Sequence, residues 1–187
     1  MKRATIILCV LLILLSGCSV RQHRHEQIMN STKEYVFKNE DLIRDASKWL
    51  ITNYSDQEDL LGYNTIHIEK NAAKEIYAKN YSTKQMENIK NDACEALLLN
   101  DDFFKSITVH KKEDCQTVEF FVRGIGNNAY FYVVFIPSGN IEDVWFYDSR
   151  LTYTEMDGGS LGTQTDGDNS FFYLPLSDHL YYCEAYF

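Results

Sequence analysis

Ala129 to Ile136 reads Ala-Tyr-Phe-Tyr-Val-Val-Phe-Ile, a run apolar on both faces of a strand. β-branched and aromatic residues suit a pleated strand. A strand this apolar on both sides needs cover above and below. The fold must therefore be layered, with this segment central in a sheet. The neighbouring segments agree. Gln116–Arg123 alternates, placing Val118, Phe120 and Val122 on one side and Thr117 and Glu119 on the other. Ser106–His110 reads as a further strand, and Phe171–Leu176 and His179–Phe187 close the chain. Pro137-Ser138-Gly139-Asn140 is a tight turn, so Ile141–Tyr147 and then Leu151–Met156 are predicted as strands after it.

Before about residue 100 the period is helical. Leu42, Ile43, Ala46, Trp49 and Leu50 recur at steps of three and four, predicting a helix from Asn39 or Asp41 to Asn53. Tyr63–Glu69 alternates briefly, as a short strand or an approach to a helix. A helix is predicted from Asn71 to Asn80. Ser82-Thr83-Lys84-Gln85 fits a capping box for another, with Met86, Ile89, Ala93, Ala96 and Leu97 on one face. Helices first and hairpin-linked strands second predict an α+β class, with N-terminal helices packed on a twisted antiparallel sheet. That order is similar to cystatin-like or NTF2-like rolls, an analogy of architecture alone.

The N-terminus is of another kind. Met1-Lys2-Arg3 is positive, and Ala4–Leu15 is almost wholly apolar. Twelve helical residues reach about 18 Å, short of a bilayer core of about 30 Å. A short apolar run behind a positive start reads as a signal peptide. Its ending, Leu15-Ser16-Gly17-Cys18, resembles the lipobox of bacterial lipoproteins. The resemblance implies acylation of the Cys18 thiol and cleavage just before it. Two or more acyl chains would hold the domain stably at a cell membrane or outer membrane, outside the cytoplasm. The expected division is residues 1–17 as signal, 18–37 as a lipidated tether and 38–187 as a single domain. In the tether His23, His25 and Glu26 are read as solvated.

The net charge is −9, and −11 once residues 1–17 are removed. So acidic a chain is a poor partner for nucleic acid. Export permits disulfides. With Cys9 in the signal and Cys18 assigned to lipid, Cys94, Cys115 and Cys183 remain, and Cys115–Cys183 is the pair expected if one forms.

Candidate chemistry is sparse. Asp157–Ser170 holds four Gly and three Asp and is expected to be a long surface loop. Within it Asp157, Asp166 and Asp168 offer oxygen ligands for a hard cation, without the full twelve-residue pattern of a calcium loop. No metal or cofactor is expected. No Ser stands in a Gly-x-Ser-x-Gly context, and no Cys sits in an exposed nucleophile setting. Aromatics crowd the strands instead. Helices covering only one sheet face would leave Tyr130, Tyr132, Trp145 and Tyr147 as a binding surface. The expected function is a membrane-anchored lipoprotein with a non-catalytic binding or accessory domain, for an envelope protein or small ligand. The alternative is a lipid-anchored envelope hydrolase.

Overall fold

The computed structural model describes residues 2–54, 63–100, 102–112, 115–126, 128–144, 152–156, 159–163 and 170–186. The fold is α+β. One long helix, α1 (Lys2–Tyr54), lies against a ten-stranded antiparallel sheet. In chain order the strands are β1 (Tyr63–Lys70), β2 (Ile76–Asn80), β3 (Met86–Asn88), β4 (Ser106–Lys112), β5 (Cys115–Ile125), β6 (Ala129–Phe135), β7 (Thr152–Met156), β8 (Gly159–Thr163), β9 (Ser170–Ser177) and β10 (Leu180–Tyr186). The spatial order is β3-β2-β1-β4-β5-β6-β10-β9-β8-β7. β6 sits between β5 and β10 inside the sheet, as its two apolar faces require. Between β3 and β4 lie a short helix, α2 (Asp92–Glu95), and a π-helical turn, Ala96–Asn100.

The core lies between α1 and one face of the sheet. Ile66 and Ile68 of β1 stand level with Val109 and Ile107 of β4. Val118, Phe120 and Val122 of β5 continue the layer, followed by Phe131, Val133 and Phe135 of β6 and Leu180 and Tyr182 of β10. The helix answers with Ile28, Val36, Ile43, Ala46, Leu50 and Tyr54.

This stripe corrects the later part of the tether expected over residues 18–37, from Ile28 to Val36. Ile28, Thr32 and Val36 follow one another at four-residue steps and are all buried. The buried hydroxyls cost nothing unpaired, because Thr32 donates to the Ile28 carbonyl at 2.8 Å and Ser47 to that of Ile43 at 2.7 Å. Asn39, the expected cap, is instead a kink inside α1 with φ −119° and ψ 21°. Its amide donates to the Tyr35 carbonyl. Polar composition hid the stripe, since only Ile28 and Val36 among residues 21–36 are buried aliphatics.

The helix expected over Asn71–Asn80 is a turn followed by β2. Ile76, Ala78 and Asn80 are buried and alternate with Tyr77 and Lys79, a period of two rather than 3.6. The capping box at Ser82 is a hairpin turn: the Asn80 side chain accepts from the backbone N–H of Ser82 and Thr83, and Lys84 takes φ +62°. Helix begins only at α2, where the Asn91 side chain caps the Cys94 N–H. The strand expected from Ile141 is a 3-10 turn, Ile141–Asp143, closed by the Asn140 side chain on the Glu142 N–H. The long loop expected over Asp157–Ser170 is interrupted by β8. Gly159 opens that strand because a Cβ there would fall on the Tyr173 carbonyl oxygen.

No helix among the described residues is long and apolar enough to cross a membrane.

Two substitutions test these assignments. Ile28→Ala removes a core side chain and is expected to cost about 2–4 kcal/mol in chemical denaturation. A solvated tether would give no change. Gly159→Ala is expected to cost about 1–3 kcal/mol, with loss of amide protection concentrated in β8 and β9.

Candidate functional site

The helix face of the sheet carries one polar cluster. Glu184 of β10 is level with Phe131 of β6 and so points at α1. Its carboxylate accepts from the Tyr182 hydroxyl at 2.7 Å and from the Tyr186 hydroxyl. His25 Nδ1 lies 3.3 Å from the same carboxylate and 3.0 Å from the Tyr186 oxygen. Nδ1 is therefore the protonated ring nitrogen. Phe131 meets the imidazole edge-on, with ring centroids 5.2 Å apart. Burial, then the neighbouring carboxylate, push the Tyr182 phenol well above its usual range, so it stays a donor. His25, read from sequence as a solvated residue, thus joins residues 159 positions apart. The network consolidates helix on sheet.

The opposite face is where the chain has functional potential. On β1 and β4, cross-strand partners form two hydroxyl–imidazole pairs. His67 Nδ1 is 3.1 Å from the Thr108 hydroxyl, and Thr65 Oγ1 is 3.4 Å from His110 Nδ1. His110 Nε2 donates to the buried Glu119 carboxylate at 3.1 Å. Next along β5 the face turns aromatic. Phe121 lies 5.4 Å from Tyr132 and 6.4 Å from Tyr130, centroid to centroid. Tyr173 and Tyr181 extend the aromatic zone onto β9 and β10. Ile141 and Val144 cover one part of it by packing on Val134, Ile136 and Cys183.

Tyr130 and Tyr132 both lie on this face, half-buried, because they alternate with the core residues Phe131 and Val133. Burial raises the Tyr132 phenol above its usual range. Trp145 and Tyr147 lie outside the described residues, as do Asp157, Asp166 and Asp168 and the side chains of Cys18 and Cys115. Among the described residues no group of three His, Cys, Asp or Glu is placed to hold a metal ion.

The Cys115–Cys183 pair is corrected. Cys183 is a free, buried thiol, and its Cα partner on β6 is Tyr132, which pairs in turn with Phe121. Cys115 lies six residues before Phe121, about 20 Å of strand away. A disulfide tolerates a Cα separation of only about 7 Å. Burial drives the Cys183 thiol upward and pushes Cys94 up to about 12. Neither supplies a thiolate at neutral pH.

Thr65, His110 and Glu119 share the order hydroxyl, imidazole, carboxylate that hydrolases use. The backbone around them denies the remaining requirement. Thr108, His110 and Glu119 are interior positions paired on both sides, and Thr65 pairs with His110 in the β1–β4 ladder, so this backbone is committed to strands. Among the described residues nothing here offers the converging N–H donors that stabilise an oxyanion. The arrangement is suited to hydrogen-bonding a bound group beside an aromatic stripe. From the sequence, His67 and His110 stand only as conceivable partners of a thiol nucleophile, and their threonine partners are not legible there. The only available signal was alternation, which sets His67, Thr65, Thr108 and His110 on the polar side of their strands.

No family model matches this chain, and neither the curated proteins nor the solved structures include one that resembles it.

Two measurements check the electrostatics. Burial holds the His67 pKa below its usual 6.5. The folded chain therefore binds fewer protons there than the unfolded one. Its stabilising share is complete above pH 6.5 and shrinks as pH falls below that value. An imidazole titration by NMR should place the His67 midpoint under 6.5, and a midpoint at or above it would sink the assignment. Thiol reagents at neutral pH should leave Cys94 and Cys183 unmodified in the native chain and label both in denaturant.

Proposed function

We propose that this chain is a membrane-anchored lipoprotein, held through Cys18, whose α+β domain binds an envelope protein or small ligand without catalysing a reaction on it. One observation carries the binding half. The sheet face turned away from α1 presents Phe121, Tyr130 and Tyr132 beside the Thr–His pairs of β1 and β4. Amphipathic aromatics next to hydrogen-bonding side chains are what recognition surfaces use. The hydrolase reading is the weaker, because the Thr65–His110–Glu119 series lies on paired strands with no converging oxyanion donors among the described residues and the described thiols are buried. The anchoring half is supported by Leu15-Ser16-Gly17-Cys18 behind a short apolar run.

The two halves are tested separately. Metabolic labelling with palmitate should mark the wild-type chain and leave Cys18→Ala unlabelled and released from the membrane fraction. Retained label in the variant rejects anchoring at Cys18. For the surface, a photo-crosslinking phenylalanine derivative replaces Tyr130 in one strain and the exposed Lys48 of α1 in another. A discrete adduct from position 130 and none from position 48 is expected. Equal yields, or none at 130, reject the outer face as the binding surface.

A further inference from the structure

At the end of the domain nearest Cys18, α1 and the β5–β6 turn enclose a cleft of about 570 Å³. Arg24, Gln27 and Ser31 line it from the helix, and Arg123, Gly124 and Gly126 from the sheet. Two cations from separate elements meet here in a chain of net charge −9. No acidic residue lines the cleft among the described residues, and neither arginine has an ion pair or hydrogen bond to a described residue. Like charges gathered without a counter-charge repel one another unless an anion joins them.

The placement of Arg123 depends on a defect in the ladder. Phe121 pairs with Tyr132 but Arg123 pairs with Phe131, a register shift of one residue. Val122 is buried in the helix-side core, so regular alternation would put Arg123 on the opposite face. The bulge returns it to the helix side, level with Phe131, where Arg24 stands. Bulges re-aim side chains in this way. Beyond it Gly126 takes φ +60°, and a Cβ there would meet nothing within 4 Å, so the turn is open to an approaching group.

Position supplies the occupant. Arg24 follows Cys18 by six residues of α1, about 9 Å of helix axis. With α1 docked from Ile28 onward, little slack chain separates the cleft from the anchor. We infer that Arg24 and Arg123 form a seat for the phosphate of an anionic phospholipid headgroup, which fixes the orientation of the domain on its membrane. This rests on the proposed acylation of Cys18. The chain as a whole is net acidic and repelled by the same lipids, so a cleft holding two arginines offers a local cationic contact beside the proposed anchor. Guanidinium groups suit the task because they pair with phosphate through two parallel N–H bonds.

The test is an NMR titration of the mature protein in detergent, following the Gly124 and Gly126 amides. Short-chain phosphatidylglycerol, phosphatidylcholine of equal chain length and inorganic phosphate are added in separate series. Phosphatidylglycerol should shift both amides, and phosphatidylcholine should not. Arg24→Gln and Arg123→Gln should each weaken the apparent affinity about fivefold. The double variant should abolish the shifts, and Arg24→Lys should retain part of them. Unchanged dispersion elsewhere in each spectrum confirms folding. Shifts from inorganic phosphate at equal affinity overturn the lipid assignment in favour of a free anion. Shifts that survive the double variant, or no shifts from phosphatidylglycerol, overturn the site. Intact mass of the same preparation reports acylation of Cys18 independently. An unacylated chain that still binds phosphatidylglycerol would remove the anchor and leave the seat.

Discussion

The burial of one helical stripe against one face of a sheet is the interaction on which the rest of this structure depends. Ile28, Val36, Ile43, Leu50 and Tyr54 span the C-terminal half of α1 and fill the layer above β1, β4, β5, β6 and β10. Each fully buried aliphatic contributes on the order of 1.5–3 kcal/mol. A ten-stranded sheet could not hide its apolar residues without such a cover, since strands alone pair edges and leave faces open. Because one helix supplies the cover, only one face is closed by it. Among the described residues the opposite face carries polar residues, aromatics and a small apolar cluster under a short 3-10 turn.

The helix is held in register by polar contacts at both ends of the docked region. Near its start His25 joins the Glu184 carboxylate and the Tyr186 hydroxyl. Farther along, Arg44 pairs with Glu40 at 2.7 Å and reaches the Asp178 carbonyl in the β9–β10 turn. The Arg44 and Ser177 side chains beside Glu40 hold its carboxyl below the usual range. These contacts add direction to apolar packing, which by itself tolerates sliding. Their consequence for function is geometric. A helix fixed from His25 onward leaves the domain close to whatever holds Cys18, so proposed anchor, cationic cleft and folded body lie in immediate succession.

Alternation was the most legible part of the sequence. β5 is readable from its period-two pattern, β6 from a run apolar on both faces, and β4, β9 and β10 from strand-forming segments between turns. Failures cluster where local chemistry admits two answers. Ala72, Ala73, Ile76 and Tyr77 match a helical step, yet Ile76 and Ala78 also alternate, and pairing with β1 selects the strand. Ser82 and Gln85 fit a capping box, but the Asn80 side chain takes the same backbone donors for a hairpin. In the candidate site Tyr130 and Tyr132 follow from alternation in β6. The Thr65–His110 and His67–Thr108 pairs join residues more than forty positions apart and depend on the β1–β4 register.

By itself, the sequence determined the α+β class, the central position of β6, the acidic charge and the lipobox-like start, because composition and short periods are properties of neighbouring residues. Only the tertiary structure decided that residues after His23 belong to the core helix, that Cys183 is a free buried thiol, and that a bulge turns Arg123 toward Arg24. Each of these depends on which residue of one element stands level with which residue of another. Register is set by burial summed over the whole sheet, and no single segment carries it.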